Sequence, residues 1–170
     1  MDALLHLIHD IWNVRIHPHG KDACATTCLL AAALPDGRLV MAQLGDGMLM
    51  LKRPGGIAIV LAPNRDNGFA NETTGLGLAT SLNQWHWHIE TGVAAGTSLL
   101  LLSDGIAEDL LPETLTDFPD FVRQEYVSLD RGKRGRKLVS DLRRWPVPRH
   151  GDDKTLAFMW MEAGGRNGDA

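Results

Sequence analysis

The sequence lacks several features that define common protein classes. It has only two cysteines, Cys24 and Cys28. Two are too few for a disulfide framework, and their spacing differs from that of common zinc and redox pairs, so we expect reduced thiols in the core. No apolar run approaches the ~20 residues that cross a bilayer, and no signal peptide is recognisable. These absences predict a cytoplasmic protein that makes no membrane contact.

An excess of positive charge is also missing. The chain carries 21 acidic and 17 basic residues, for a net charge of −4. This balance argues against the broad positive surface that non-specific nucleic-acid binding requires, so no nucleic-acid partner is expected. A length of 170 residues fits one domain. We predict a single domain over residues 1–162 and a flexible tail over 163–170, which has no large apolar residue.

Apolar periodicity gives a coarse order of elements. Helical spacing predicts a first helix over 3–13, and period-two or continuous apolar runs predict strands over 24–34, 38–44, 48–52, 57–61, 85–89, 99–103 and 155–161. Two further helices are predicted over 115–128 and 134–145. The first four strands would form one meander, and residues 63–84 a long surface segment. Because strands and helices do not alternate regularly, we expect mostly antiparallel sheet with helices outside.

Acidic residues recur at the ends of the predicted strands. The run of leucines 99–102 ends in Ser103-Asp104-Gly105, an earlier strand ends in Gly45-Asp46-Gly47, and Asp152-Asp153 precedes the last strand. Clustered carboxylates repel one another, and a divalent cation removes that conflict. Oxygen ligands favour Mg²⁺ or Mn²⁺, and a pair of such ions can activate water for phosphate-ester hydrolysis. Asp-Gly is also an ordinary turn sequence, so turns remain the alternative.

Four short motifs, in this order, resemble those of the metal-dependent protein phosphatases of type 2C (PPM-type). They are Ala25-Thr26-Thr27, Leu44-Gly45-Asp46-Gly47, Leu102-Ser103-Asp104-Gly105-Ile106 and Asp152-Asp153-Lys154-Thr155. The resemblance covers roughly residues 22–161. It implies an α+β fold, a four-layer α-β-β-α sandwich of two mostly antiparallel sheets with flanking helices. It also implies removal of phosphate from phosphoserine or phosphothreonine of a protein substrate by a metal-activated water, with two or more Mg²⁺ or Mn²⁺ ions.

Carried over by position, the resemblance assigns roles to individual residues. Asp104 and Asp152 match ligands of one metal ion, and Asp46 matches the ligand of an additional, weaker site. Three residues would surround and orient these ligands: Gly105, Asp153 and Thr155. Asp153 stands where the family usually has Asn.

One family motif is missing, an Asp-Gly-x-Gly-Gly segment whose Asp bridges both metals. The domain is therefore expected to be N-terminally incomplete, with the catalytic residues unassigned. We expect the chain alone to hold its ion weakly and to hydrolyse phosphate esters at a rate near background. The alternative is an inactive pseudophosphatase or regulatory binding module with a residual metal site. A lost segment or a second chain would complete the fold.

Other residues have structural readings that compete with functional ones. Five histidines are more simply explained as solvent-facing residues than as metal ligands or catalytic acids: His17, His19, His86, His88 and His150. Of these, His150 lies close to Asp152 in the sequence. A basic run is interpreted as a solvated loop leading into a helix, or as a docking patch for an acidic or phosphorylated partner: Arg131, Lys133, Arg134, Arg136 and Lys137. All tryptophans are expected in the core: Trp12, Trp85, Trp87, Trp145 and Trp160.

Overall fold

The computed structural model describes residues 1–62, 74–145, 147 and 151–162. The chain divides into two compact units, the first formed by Met1–Gly47 with Leu61–Thr91 and the second by Met48–Val60 with Gly92–Ala170. One antiparallel sheet of three strands and one of four, together with four α-helices, confirm the α+β class and are consistent with the predicted sandwich. The single domain over 1–162 stays a prediction, and the tail over 163–170 lies outside the described residues.

The elements of the described chain follow in this order: α1 (Asp2–Ile16), β1 (Cys28–Ala33), β2 (Leu39–Leu44), β3 (Met48–Arg53), β4 (Gly56–Leu61), β5 (His86–Glu90), β6 (Ser98–Leu102), α2 (Asp104–Ala107), α3 (Phe118–Val127), α4 (Arg131–Arg143) and β7 (Leu156–Trp160). Short 3₁₀ turns occupy Asp22–Cys24, Leu82–Gln84 and Pro112–Thr114. No helix among the described residues is long and apolar enough to span a membrane.

The first unit is built on a hairpin that the sequence predicts. Strands β1 and β2 pair from Cys28 opposite Leu44 to Ala33 opposite Leu39, and β5 pairs with the other edge of β2. The connecting turn reaches a positive φ of 82° at Gly37, a conformation that glycine adopts without steric cost. One face of this sheet and α1 share a buried cluster: Leu5, Ala42, Leu44, Leu76 and Trp85.

The second unit arranges its sheet in the order β4-β3-β6-β7 and packs helices α2, α3 and α4 against one face. Strands β3 and β7 both pair antiparallel with the central β6. The buried residues at the contact come from both strands and helices: Met50, Leu100, Leu102, Ile106, Val122, Tyr126 and Leu156. This core fixes the end of β6 and the start of β7, the two strand ends that carry Asp104 and Asp152.

Several predictions from sequence are wrong in detail. The predicted four-strand meander is split, since β1 and β2 belong to the three-stranded sheet and β3 and β4 to the other. Strand β1 begins at Cys28, because residues 22–24 form a 3₁₀ turn. Trp87 has 47% of its surface exposed, so it is not a core residue. Within the predicted surface segment, Leu76 is buried and pairs with Thr26; residues 63–73 lie outside the described chain.

Candidate metal centre

Asp104 stands at the point where a buried strand gives way to a helix. Strand β6 ends at Leu102, Ser103 is the N-cap residue in an extended conformation, and α2 begins at Asp104. The Gly105 backbone N–H donates to Asp104 Oδ1 at 2.8 Å. An aspartate suits the start of a helix, because its carboxylate accepts hydrogen bonds from backbone N–H groups that have no acceptor within the helix. One carboxylate oxygen of Asp104 is thereby oriented by the chain itself.

Ser103 ties the end of β6 to the start of β7. Its backbone N–H donates to the Thr155 carbonyl at 3.0 Å. Its hydroxyl donates to the Asp153 carbonyl at 3.0 Å and accepts from the Thr155 N–H at 2.9 Å. The sequence analysis does not single out Ser103, although a serine directly before a helix-starting acid is a recognisable N-cap signal. The three bonds fix Asp104 relative to the segment that carries Asp152.

Gly105 brings those two segments into direct contact. A Cβ added to Gly105 would lie 2.5 Å from the Asp153 carbonyl oxygen and 3.2 Å from Asp152 Cβ. Only glycine lets the two backbones approach this closely. The structure therefore brings the predicted ligands Asp104 and Asp152 together on touching loops of the second unit. The predicted supporting residues Gly105, Asp153 and Thr155 all take part in this contact through their backbones.

The oxygen ligands that Asp104 and Asp152 would supply suit a hard cation. Asp104 and Asp152 supply carboxylate oxygens, which Mg²⁺ and Mn²⁺ prefer, and these ions commonly bind one or two carboxylates while keeping several waters. Across the described ranges, no group of three or more His, Cys, Asp and Glu side chains is placed to hold a metal ion. Within those ranges, Asp104 and Asp152 are thus a pair and not part of a larger ligand group, and their role as ligands of Mg²⁺ or Mn²⁺ stays a prediction.

Asp46, the predicted ligand of a secondary site, lies in the first unit on the turn after β2. Gly45 has a φ of +106°, and a Cβ there would clash with the Thr27 side chain, so the turn depends on glycine. The buried Gln43 side chain donates from Nε2 to the carbonyls of Gly45 and Gly47, which flank Asp46. Gln43 is a second organising residue that the sequence analysis does not single out. The assignment of Asp46 as a metal ligand stays a prediction.

The other candidate ligands have simpler environments. His88 Nε2 lies 3.2 Å from Glu90 Oε2, and His86, His17 and His19 are exposed. His150 lies outside the described residues. Burial raises the pKa of the Cys28 thiol above its ordinary value, as expected for a core thiol. None of the described side chains in this set belongs to a metal-binding group with Asp104.

The basic run is predicted as a loop leading into a helix, but in the structure it forms the first turns of α4. Asp130 is the N-cap residue of this helix, and its side chain accepts a hydrogen bond from the Lys133 N–H. Arg134 turns back to the preceding helix, donating to the carbonyls of Tyr126 and Leu129 at 3.0 and 2.9 Å. Tyr126 lies in the last turn of α3 and Leu129 just after it, so Arg134 serves as a cap for the C-terminal end of that helix. One of the five basic residues in the run thus has a structural role.

Lys137 is a second member of the run with a structural role. Its ammonium lies 2.9 Å from Glu125 Oε2 and 2.8 Å from Asp141 Oδ2. These contacts raise the pKa of Lys137 and lower that of Asp141, since each favours the charged form of its partner. The Tyr126 hydroxyl donates to the same Asp141 carboxylate at 2.7 Å. The contacts join α3 to α4 and leave other basic residues of the helix for solvent.

Comparison with known families agrees with this architecture. The family model described as Protein phosphatase 2C matches residues 5–144, which is most of the 170-residue chain. The match covers the Thr26-Thr27 region, the Asp46 turn and the Asp104 loop. No curated protein matches the chain. The chain belongs to the protein phosphatase 2C family.

Proposed function

We propose that the chain is a metal-dependent phosphatase domain that acts on phosphoserine or phosphothreonine in proteins and binds Mg²⁺ or Mn²⁺ through Asp104 and Asp152. The observation that supports this best is the contact at Gly105, where the two acid-bearing loops touch. A glycine here lets the two acid-bearing segments touch, and carboxylates that lie near one another repel. A cation between them would offset that repulsion.

Each residue of the pair has a definable task. Asp104 and Asp152 would hold the cation, which when bound supplies a Lewis acid for the phosphoryl oxygens. Ser103 and Gly105 hold Asp104 in place before any ligand arrives, which limits the reorganisation that binding requires. Asp46 is proposed for a secondary metal site on the evidence of the motif alone. A second chain or further segment that supplies the bridging carboxylate belongs to the same proposal.

A second candidate function is a regulatory module without turnover. It is favoured by the small number of ligands, because the described part of the chain offers no group of three potential metal-binding side chains. A domain of this kind would still bind a cation through Asp104 and Asp152. It would differ from the enzyme in failing to release phosphate.

Metal binding and turnover are measured separately on the same protein. Mn²⁺ should raise the melting temperature of the chain, and Asp104→Asn should abolish the rise. Asp36→Asn is the matched control, since Asp36 also precedes a glycine but pairs with Arg38 on the hairpin turn. An unchanged melting curve in millimolar Mn²⁺ would refute the metal site.

Turnover is assayed with para-nitrophenyl phosphate and a phosphothreonine peptide. The enzyme proposal predicts Mn²⁺-dependent phosphate release that is close to background for the chain alone, is abolished by Asp104→Asn and is retained by Asp36→Asn. Metal binding without any release above that of Asp104→Asn would instead assign the regulatory function.

A further inference from the structure

Helix α4 forms one wall of two neighbouring clefts in the second unit. The first has a volume of about 440 Å³ and is lined by Val139, Leu142, Arg143, Trp145 and the segment 151–154, which includes Asp152. Among the described residues, the second, about 520 Å³, is lined by α4 and the residue after it: Gly135, Arg136, Val139, Ser140, Arg143 and Arg144. Val139 and Arg143 line both. The two clefts therefore adjoin along α4; together they are here called the α4 groove, and the first of them borders the candidate metal ligand Asp152.

Two arginines of the α4 groove differ from the other basic residues of the helix. Arg134 and Lys137 are engaged in contacts to α3, and Arg144 pairs with Asp141. Arg136 and Arg143 are exposed, and within the described ranges neither has an ion-pair or hydrogen-bond partner. Their charges are not neutralised by the surrounding chain. An unpaired guanidinium pair beside an exposed apolar residue is suited to an anionic peptide.

The spacing of the two arginines matches an extended peptide. They are seven positions apart on one helix, which places them on the same face about 10 Å apart along the axis. A peptide in the extended polyproline II conformation covers that distance in about three residues, and every third side chain returns to the same face. Val139, with 49% of its surface exposed, lies between them and offers an apolar contact. Acidic or phosphorylated residues three positions apart would therefore meet both guanidinium groups.

We propose that the α4 groove docks an acidic segment of the phosphoprotein substrate through Arg136 and Arg143, next to Asp152. This inference rests on the proposed function, because it assigns the substrate class of the same site. Each arginine offers a planar fork of donors that binds a carboxylate or phosphate in bidentate fashion. An acidic peptide needs only the local positive charge of the two guanidinium groups, whereas nucleic acid needs a broad positive surface, which a chain with a net charge of −4 does not offer.

The test is peptide binding by fluorescence anisotropy, in low salt with EDTA so that no metal takes part. The probe is a fluorescein-labelled peptide with a phosphothreonine followed by glutamates three positions apart, compared with the same peptide carrying glutamines. The wild-type chain should bind the acidic peptide about tenfold more tightly than the neutral one. Arg136→Glu with Arg143→Glu should remove this preference.

Arg131→Glu is the matched control, because Arg131 lies on the same helix but lines neither cleft. It should retain the preference to within about twofold, and circular dichroism should show all variants folded. The proposal is overturned if the double variant binds like the control, if the neutral peptide binds as well as the acidic one, or if a single-stranded oligonucleotide of equal charge binds more tightly. Asp104→Asn should leave this binding intact, so failure of the metal site and failure of the groove are distinguishable.

Discussion

Gly105 provides the most direct structural test of how the two acid-bearing loops are held together. In Gly105→Ala, the new methyl group would lie 2.5 Å from the Asp153 carbonyl oxygen. An ordinary contact needs about 3.4 Å, so the loops must separate by about 0.9 Å. The obstructing atom belongs to the backbone of a segment tied to Ser103 by hydrogen bonds, so no side-chain rotation relieves the clash. The separation should increase the distance between Asp104 and Asp152.

Overpacking of this kind costs about 1–3 kcal/mol in the free energy of unfolding. Urea denaturation of Gly105→Ala in EDTA should show a loss in that range. The same measurement in millimolar Mn²⁺ should show a smaller metal-induced stabilisation than the wild-type chain, since the two ligands no longer meet as closely.

Gly151→Ala is the matched control for this substitution. Gly151 directly precedes Asp152, yet a Cβ there would meet no heavy atom of the described residues within 4 Å. It should therefore leave both the unfolding midpoint and the response to Mn²⁺ close to those of the wild type. The reasoning is refuted if Gly105→Ala and Gly151→Ala behave alike in both measurements.

Three further predictions concern stability. Gln43→Leu should lower the free energy of unfolding by about 1–3 kcal/mol in urea, because it removes the donor to a buried turn carbonyl; an unchanged midpoint would contradict that role. Burial lowers the pKa of His9, whose Nε2 accepts from Trp85 Nε1. Stability should therefore fall as pH drops below 6.5, and His9→Gln should flatten that dependence in thermal melts. Burial and the hydrogen bond to Asp141 raise the pKa of Tyr126 to about 12. Stability should therefore fall between pH 10 and 12, and Tyr126→Phe melts should lack that decline.

Much of the fold follows from local patterns. The helix α1, the β1–β2 hairpin and the apolar run of β6 are confirmed because their periodicity or turn residues determine their conformation. Assignment of strands to sheets was wrong for the predicted meander, since β2 and β3 are adjacent in sequence but belong to different sheets. Sequence periodicity reports which face of a strand is apolar and not which strand it pairs with. Trp87 illustrates the same limit, because its aromatic character gave no information about its exposure.

The candidate site, too, could be predicted from the sequence only in part. The acids Asp104 and Asp152 were identified from their positions at strand ends, and the structure brings their loops into contact. Two residues arrange this contact. Ser103 acts through the hydrogen bonds of its hydroxyl group, and Gly105 acts by having no side chain. Such contacts depend on which strands are neighbours in the sheet, so they could not be predicted from the sequence alone. The distinction between structural and unpaired arginines in α4 also required the three-dimensional positions of α3 and α4.

The central claim is that Asp104 and Asp152 together hold a divalent cation. Electron paramagnetic resonance of Mn²⁺ tests it most directly, because the hydrated ion gives a sharp signal that is lost when the ion binds protein. Titration of Mn²⁺ into the wild-type chain should show bound metal, and Asp104→Asn with Asp152→Asn should show only free ion. Equal binding by the wild type and the double variant would contradict the claim.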